Sequence, residues 1–436
     1  MMELSAPELG VLRALDRWSA KTDPDSADSL NSLGSLDSAS LSAMWGGVTA
    51  GLLACQTPAW TECHVRILDR LITKLGRRAE VATDALPLGT LLALHGLRSM
   101  VLANHHRAGR RGATGPGEDA APDPDELAVR AAEFLRQGDL AIPLSMSPEG
   151  TVPSGMSKGR VFKGLLEGVT LGLGLWLYDR HHHTDWHVRC FGAWWATAAS
   201  SASTVVGSQA AALAWFLTPQ APAAAEPLLE RMWLTNPASS AAYTSDTSDT
   251  SDTSDTSAVE TLAMQVLVAT EWSLTQAPAL REQLLAALLQ ASAGAGDGQQ
   301  GAGQQRDEPL WGPGDGAAKG AAAVAGAPGS WEALCRAPLA ASAQVIDVDF
   351  PMVAFTRAEW INGFLHVGLD VQDAQSNTPG EGVASSRRTT FRIVGAEPRV
   401  WWASGMANIT TEMSATAVSI TVPLMSGTIE FAPSSY

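Results

Sequence analysis

Residues 345–371 read VIDVDFPMVAFTRAEWINGFLHVGLDV, and the fold turns on how this run differs from what precedes it. VIDVDF and GFLHVGLDV are short β-branched or aromatic runs broken by turn residues. Trp360-Ile361-Asn362-Gly363-Phe364 has the form of a turn into the second run, and Phe364 to Leu369 keeps a partial alternation of the kind a half-buried strand shows. The same texture recurs in TTFRIV (389–394), RVWW (399–402) and AVSITVPL (417–424). About five strands are therefore expected, making residues 341–436 a small β-rich C-terminal domain, a sandwich or a sheet packed on the rest.

Upstream the period changes from two to about three and a half. Leu9, Leu12, Leu15 and Trp18 recur at three-residue steps, and a second helix is expected over Leu41–Gln56. After Thr57-Pro58 comes an amphipathic helix over 59–76, with Val65, Leu68, Ile72 and Leu75 on one face and Arg66, Asp69 and Lys74 outside it. Pro87 opens another helix, LGTLLALHGLRSMVLANHH. Further helices are expected over 125–137, about 162–180 and onward with breaks to about 235, then 257–275 and 278–292. Three stretches interrupt them: 107–124, the TSD repeat of 241–257, and the Gly/Ala/Gln-rich 293–330, all read as solvated, disordered insertions. Residues 1–340 are thus a mainly α body. So many helices joined by short loops point to an α/α toroid or to another helical-hairpin array.

At 436 residues the chain can bury a large core, and only 17% of it is charged. The net charge of −16 argues against nucleic acid and against an anionic membrane surface. Phe191–Ala225 carries no charge, yet its Ala, Ser, Thr and Gly content suits buried helices better than a membrane span. The N-terminus shows no basic region followed by an apolar run, and Cys55, Cys63, Cys190 and Cys335 form no CxxC pair. Reduced thiols in a cytoplasmic protein are the expectation, with a homo-oligomer left open.

Several residues are candidates for chemistry. His183 and His187 stand four apart, a spacing that puts two imidazoles on one helical face for a metal; a solvated helix end is the favoured reading, and no metal or other cofactor is expected. His95 lies in an apolar helix, as a core histidine or a catalytic one. Asp84 could cap its helix through its carboxylate or face a cavity as an acid or base. Asp179 belongs to the polar run YDRHHHTDWH. The irregular loop of 141–160, long for a helical body, carries Ser145, Glu149 and Ser154, and Glu149 is either an exposed carboxylate or, if desolvated, an acid–base group. No GxSxG elbow surrounds any serine. Fifteen tryptophans against three tyrosines would fill a core or line a pocket for an apolar ligand or a sugar.

Three stretches together resemble the linalool dehydratase/isomerase family: DALPLGTLL from Asp84, LLEGVTLGLGLWLYDRHHHTDW at 165–186, and VIDVDFPMVAFTRAEW with the NGFLHVGLDV and TTFRIVGAEP that follow it. The resemblance implies an (α/α)6 barrel around an apolar cavity. It also implies a cofactor-independent lyase or isomerase that dehydrates or isomerises a small terpenoid alcohol by acid–base transfer. Asp84 matches the family's acid/base aspartate, and His95 is a looser match to a histidine partner. Where the family has a cysteine pair in a proline-containing loop, this chain has LSMSPEGTVPSGM, with Ser145 and Ser154 as the nearest counterparts. Two other readings remain: a carbohydrate-active α/α-toroid enzyme in which Asp84, Glu149 and Asp179 converge, and a non-catalytic relative that keeps the barrel for binding.

Overall fold

A computed structural model describes residues 3–21, 36–79, 84–102, 122–137, 158–234, 252–294, 315–337, 339, 343–372, 388–395, 401–406, 408–414 and 417–433. Helices fill the body: α1 (Ala6–Lys21), α2 (Leu36–Gln56), α3 (Glu62–Ala79), α4 (Ala85–Leu102), α5 (Pro124–Gln137), α6 (Lys158–His182), a π-helical turn (His187–Phe191), α7 (Gly192–Ala202), α8 (Gly207–Gln220), α9 (Pro222–Arg231), α10 (Asp252–Glu271), α11 (Ala277–Gly294), α12 (Asp315–Ala325) and α13 (Ser330–Arg336).

The even-numbered helices from α2 to α12 touch one another in a closed cycle: α2 on α4, α4 on α6, α6 on α8, α8 on α10, α10 on α12 and α12 on α2. Their composition explains the placement. On α4, for example, every residue from Ala85 to Leu94 is buried, so no face is left for water. Four odd-numbered helices lie outside: α3 against α2 and α4, α5 against α4 and α6, α11 against α10 and α12, and α1 against α2 and α12. Here the apolar stripe is one-sided, as on α3, where Leu68, Ile72 and Leu75 are buried and Arg66, Asp69 and Lys74 are only half-buried.

Neighbouring ring helices run parallel. On α4, Gly89 meets Leu171 and Gly96 meets Leu177 of α6, while Gly47 and Gly51 of α2 meet Leu94 and Leu97 of α4. An ideal Cβ on Gly89 would stand 2.7 Å from the Leu171 backbone nitrogen, so α4 and α6 approach backbone to backbone and glycine is required there.

Two expected insertions shrink. The TSD repeat does not run free to 257, because α10 begins at Asp252. The Gly/Ala/Gln-rich stretch is likewise not disordered throughout: α12 occupies Asp315–Ala325, with Ala318, Ala321, Ala322 and Ala323 buried. Alanine has the highest helix propensity, and its small side chain lets α12 close the ring against α2 and α10. Helices α4 and 160–182 are long and apolar enough to cross a bilayer, and both are mostly buried inside the body.

Among the described residues, the C-terminal region holds eight strands in two antiparallel four-stranded sheets, ordered β1-β4-β7-β6 and β2-β3-β8-β5. They are β1 (Gln344–Ile346), β2 (Val353–Ile361), β3 (Phe364–Val371), β4 (Arg388–Val394), β5 (Trp401–Ser404), β6 (Thr410–Met413), β7 (Ala417–Pro423) and β8 (Gly427–Pro433). Asn362 and Gly363 both take positive φ and form the two-residue turn of the β2–β3 hairpin. Phe355 of β2, Phe391 of β4 and Phe431 of β8 meet edge-on between the sheets. The sandwich shares the body's core and is pinned to the loop before α3: Val345 N donates to Ala59 O at 2.7 Å, and Ala59 N to Ala358 O at 2.9 Å. Arg13 of α1 adds a 2.7 Å bond to Asp370.

Candidate functional site

After α12 the chain turns at Gly329, whose φ of 65° suits glycine, and enters the short helix α13. This helix touches α2, α4, α8 and α10, four of the six ring members, so it lies across the ring. Its Leu334 occupies the space where Gly51 of α2 has no side chain. Trp331 is fully buried, stacks on Trp215 of α8 with centroids 5.3 Å apart, and donates its indole N–H to the Trp215 carbonyl at 3.1 Å. Trp45 of α2 meets Phe216 of α8, also at 5.3 Å, although these helices stand opposite in the ring. Aromatic side chains therefore span the middle of the body.

Glu271, the last residue of α10, holds the start of α13. One carboxyl oxygen accepts from Trp331 N at 3.0 Å and the other from Glu332 N at 2.8 Å. Its own carbonyl accepts from Gly329 N at 3.2 Å. Burial pushes the carboxyl up to about 7, against the downward pull of the two amides. Two thiols share this environment. Burial raises Cys55 of α2 to about 12 and lifts Cys335 of α13 well above the ordinary thiol range, and the Glu271 charge adds to both. The result is one carboxyl that titrates near neutrality beside two thiols that keep their protons.

The folded carboxyl lies above its ordinary value of 4.5, so native protein holds this proton where unfolded chain has released it. Its contribution to stability is greatest below about pH 4.5, falls as pH rises towards 7, and then levels off. At about 1.4 kcal/mol per unit the loss reaches roughly 3 kcal/mol. Urea unfolding of wild type and Glu271→Gln between pH 4.5 and 8 checks it: the stability difference between the two should drift by that amount.

Of the residues singled out from sequence, Asp84, His95 and Asp179 are among the described residues, each in a different setting. Asp84 is exposed, just before α4. His95 lies eleven residues along the same helix, about 16 Å away at 1.5 Å per residue. It faces the outer helices: burial lowers it to about 4, Arg98 adds to the fall, and Asp69 of α3 and Asp123 oppose it. Asp179 is buried at the end of α6, and its carboxylate accepts from the Thr184 hydroxyl, from Trp186 N at 3.0 Å and from His187 N at 2.7 Å. It caps the following turn. Ser145, Glu149 and Ser154 lie outside the described residues.

The polar run after α6 also divides. His183 is exposed with φ of 55°, whereas His187 is buried, stacked on Phe191 and bonded through Nε2 to Gln220 Oε1 at 3.1 Å. The Gln220 amide nitrogen donates to Val169 O and Phe216 O, each at 2.9 Å, which fixes its oxygen as the acceptor and leaves the proton on His187 Nε2. Among the described residues no group of three His, Cys, Asp or Glu side chains has the arrangement of a metal site.

Sequence reasoning passed over Glu271 and read Cys55 and Cys335 only as reduced thiols. A usable signal existed for the first: Glu271 is the only charge in LAMQVLVATEW, an otherwise uncharged helix end. No family model, curated protein or solved structure matches this chain.

Proposed function

We propose that the helical body is an (α/α)6 toroid and that the protein is a cofactor-independent lyase or isomerase acting on a small apolar alcohol of terpenoid type. The closed cycle of six parallel-running helices with partners outside supports the toroid. For the chemistry, the supporting observation is the Glu271 carboxyl, buried beside Cys55 and Cys335 and titrating at about 7. A proton-transfer group works best when its pKa lies near the working pH. In this reading Glu271 transfers the proton and the two protonated thiols donate hydrogen bonds to the substrate oxygen. That role passes to them from the Asp84, His95 and Ser145/Ser154 set, whose first two members stand about 16 Å apart along α4.

The experiment is turnover of linear terpene alcohols by wild type, Glu271→Gln and Asp84→Asn. Expected is a loss of at least about 100-fold for Glu271→Gln, in the range for a removed general acid or base, and near wild-type turnover for Asp84→Asn. Equal turnover in wild type and Glu271→Gln rules out the assignment. The non-catalytic reading has one specific observation in its favour: Trp45, Phe216, Trp215 and Trp331 fill the middle of the body, so substrate enters only if α13 moves. No turnover by wild type, with tight binding retained, selects it. For a sugar cleft the described residues offer little, since Trp45, Trp60, Trp215 and Trp331 are fully buried.

A further inference from the structure

One outer helix of the body is covered on one side only. Whereas α1, α3, α5 and α11 each lie against two ring helices, α7 packs chiefly on α6 and the π-helical turn. Its inward side buries Trp194, Ala198, Ser201 and Ala202, and Trp194 fills the space beside Gly168 of α6. The opposite side is open. Val188 of the π-helical turn is 75% exposed, and Gly192, Ala196, Ala199 and Ser203 follow it on the same face at steps of three or four, all exposed. Trp195 sits half-buried on that face, its ring stacked on Phe191 with centroids 6.1 Å apart. The indole is thereby a preset contact at the surface.

The far end of the face is apolar too. Arg231 Nη1 donates to the Ser203 carbonyl, and the Leu234 carbonyl stands 3.2 Å from an ideal Cβ on Gly207. These contacts bring Trp233 and Leu234, 39% and 53% exposed, beside the end of α7. Among the described residues of the body, the exposed large hydrophobics are Val129, Val188, Trp233, Leu234 and Leu289, so three of the five flank this one helix. Contiguous exposed apolar surface marks an interaction site.

Charge selects the occupant. No charged residue occurs from Gly192 to Ala225, in a chain whose net charge is −16. Two copies repel in most orientations, and here they can meet without opposing carboxylates. The ends of the face match as well. At the Val188 end Arg189 pairs with Asp185 at 2.8 Å, and at the Trp233 end stand Glu230 and Arg231. Each end therefore carries one carboxylate and one guanidinium. Antiparallel pairing about a two-fold axis sets the first end of one copy against the second end of the other, which opposes unlike charges twice. The same operation sets Val188 against Trp233 and Leu234. The glycine and alanines between them let the two helices approach closely.

We propose that the open face of α7, with Val188, Trp195 and the Trp233–Leu234 corner, is the two-fold interface of a homodimer. This assignment is independent of the proposed reaction.

Sedimentation velocity of the full chain across micromolar concentrations tests it, and the expected result is a reversible species of twice the 45.7 kDa of one chain. Val188→Glu and Ala199→Glu, both at exposed positions, each place a carboxylate in the interface and should raise the dimer Kd at least about tenfold. Leu289→Glu, an equally open apolar position on α11, should leave it unchanged. Far-UV circular dichroism establishes that the variants are folded. Ala196→Cys lies near the middle of the face, hence near the axis, and should give a covalent dimer under copper-phenanthroline oxidation that wild type does not give. A monomer at every concentration, a dimer that neither folded glutamate variant weakens, or the absence of that cross-link overturns the proposal. So does wild-type binding to phosphatidylcholine vesicles that Val188→Glu abolishes, since the face would then belong to a bilayer.

Discussion

Trp331→Ala should lower the free energy of unfolding by about 3–5 kcal/mol, the range for truncating a fully buried tryptophan. Three losses combine. The indole leaves its stack on Trp215 and vacates a volume walled by ring helices that cannot collapse inward. The Trp215 carbonyl loses its donor. And α13, only seven residues long, has little besides Trp331, Leu334, Cys335 and the Glu271 carboxyl to hold it across the ring. Trp331→Phe separates these contributions, since it keeps an aromatic ring and removes the indole N–H; it should cost about 1–2 kcal/mol. Urea unfolding followed by far-UV circular dichroism measures both. A cost below about 1 kcal/mol for the alanine variant would mean that α13 is a loosely applied cover and not part of the core.

Gly89→Ala should cost about 3 kcal/mol, at the upper end for overpacking, although alanine is the better helix former by about 1 kcal/mol. The new methyl would meet the Leu171 backbone nitrogen at 2.7 Å and the Thr170 and Leu171 backbone carbons at 3.0 Å. Backbone cannot rotate aside as a side chain can, so α4 and α6 must separate. Separation also breaks the reciprocal approach of Gly174 to the Gly89 carbonyl. Gly10→Ala is the matching control: the same substitution in a helix, with nothing within 4 Å of the added atom. There the propensity gain stands alone, and a stabilisation of about 0.5–1 kcal/mol is expected. Thermal unfolding of the two variants side by side should give shifts of opposite sign. A neutral Gly89→Ala would mean that the α4–α6 contact is looser than its geometry.

The helices of the body are largely legible because one-sided or continuous apolar patterns are local signals. The amphipathic stripe of α3 and the long apolar run of α4 need no tertiary knowledge. Helix α12 escapes because glycines dilute its alanines, and its buried status depends on α2 and α10, which are remote in the chain. Strand β2 escapes for a different reason: its register shifts between Phe355 and Arg357, and this irregularity destroys the alternation a strand is recognised by. The short β6 has all four residues exposed and offers no apolar pattern at all.

The site was harder still. Asp179 and Glu271 look alike in sequence, each a carboxylate at the end of an apolar helix. What separates them is partners. Asp179 takes donors from five to eight residues away and closes a local turn. Glu271 takes them from α13, sixty residues on, and is buried by that same helix. Burial in that second arrangement lifts the Glu271 carboxyl towards neutrality.

The closing contact of the ring joins α2, near the start of the chain, to α12, which ends at Ala325. A ribosome must therefore release nearly the whole body before its interior can be sealed. Until then α2 and α10 present uncovered apolar flanks to solvent. Contacts this distant in sequence slow folding and lengthen the exposure of sticky intermediates. The small, alanine-rich α12 is a fitting last stave, since it can slide into a gap already defined by its neighbours without much side-chain rearrangement.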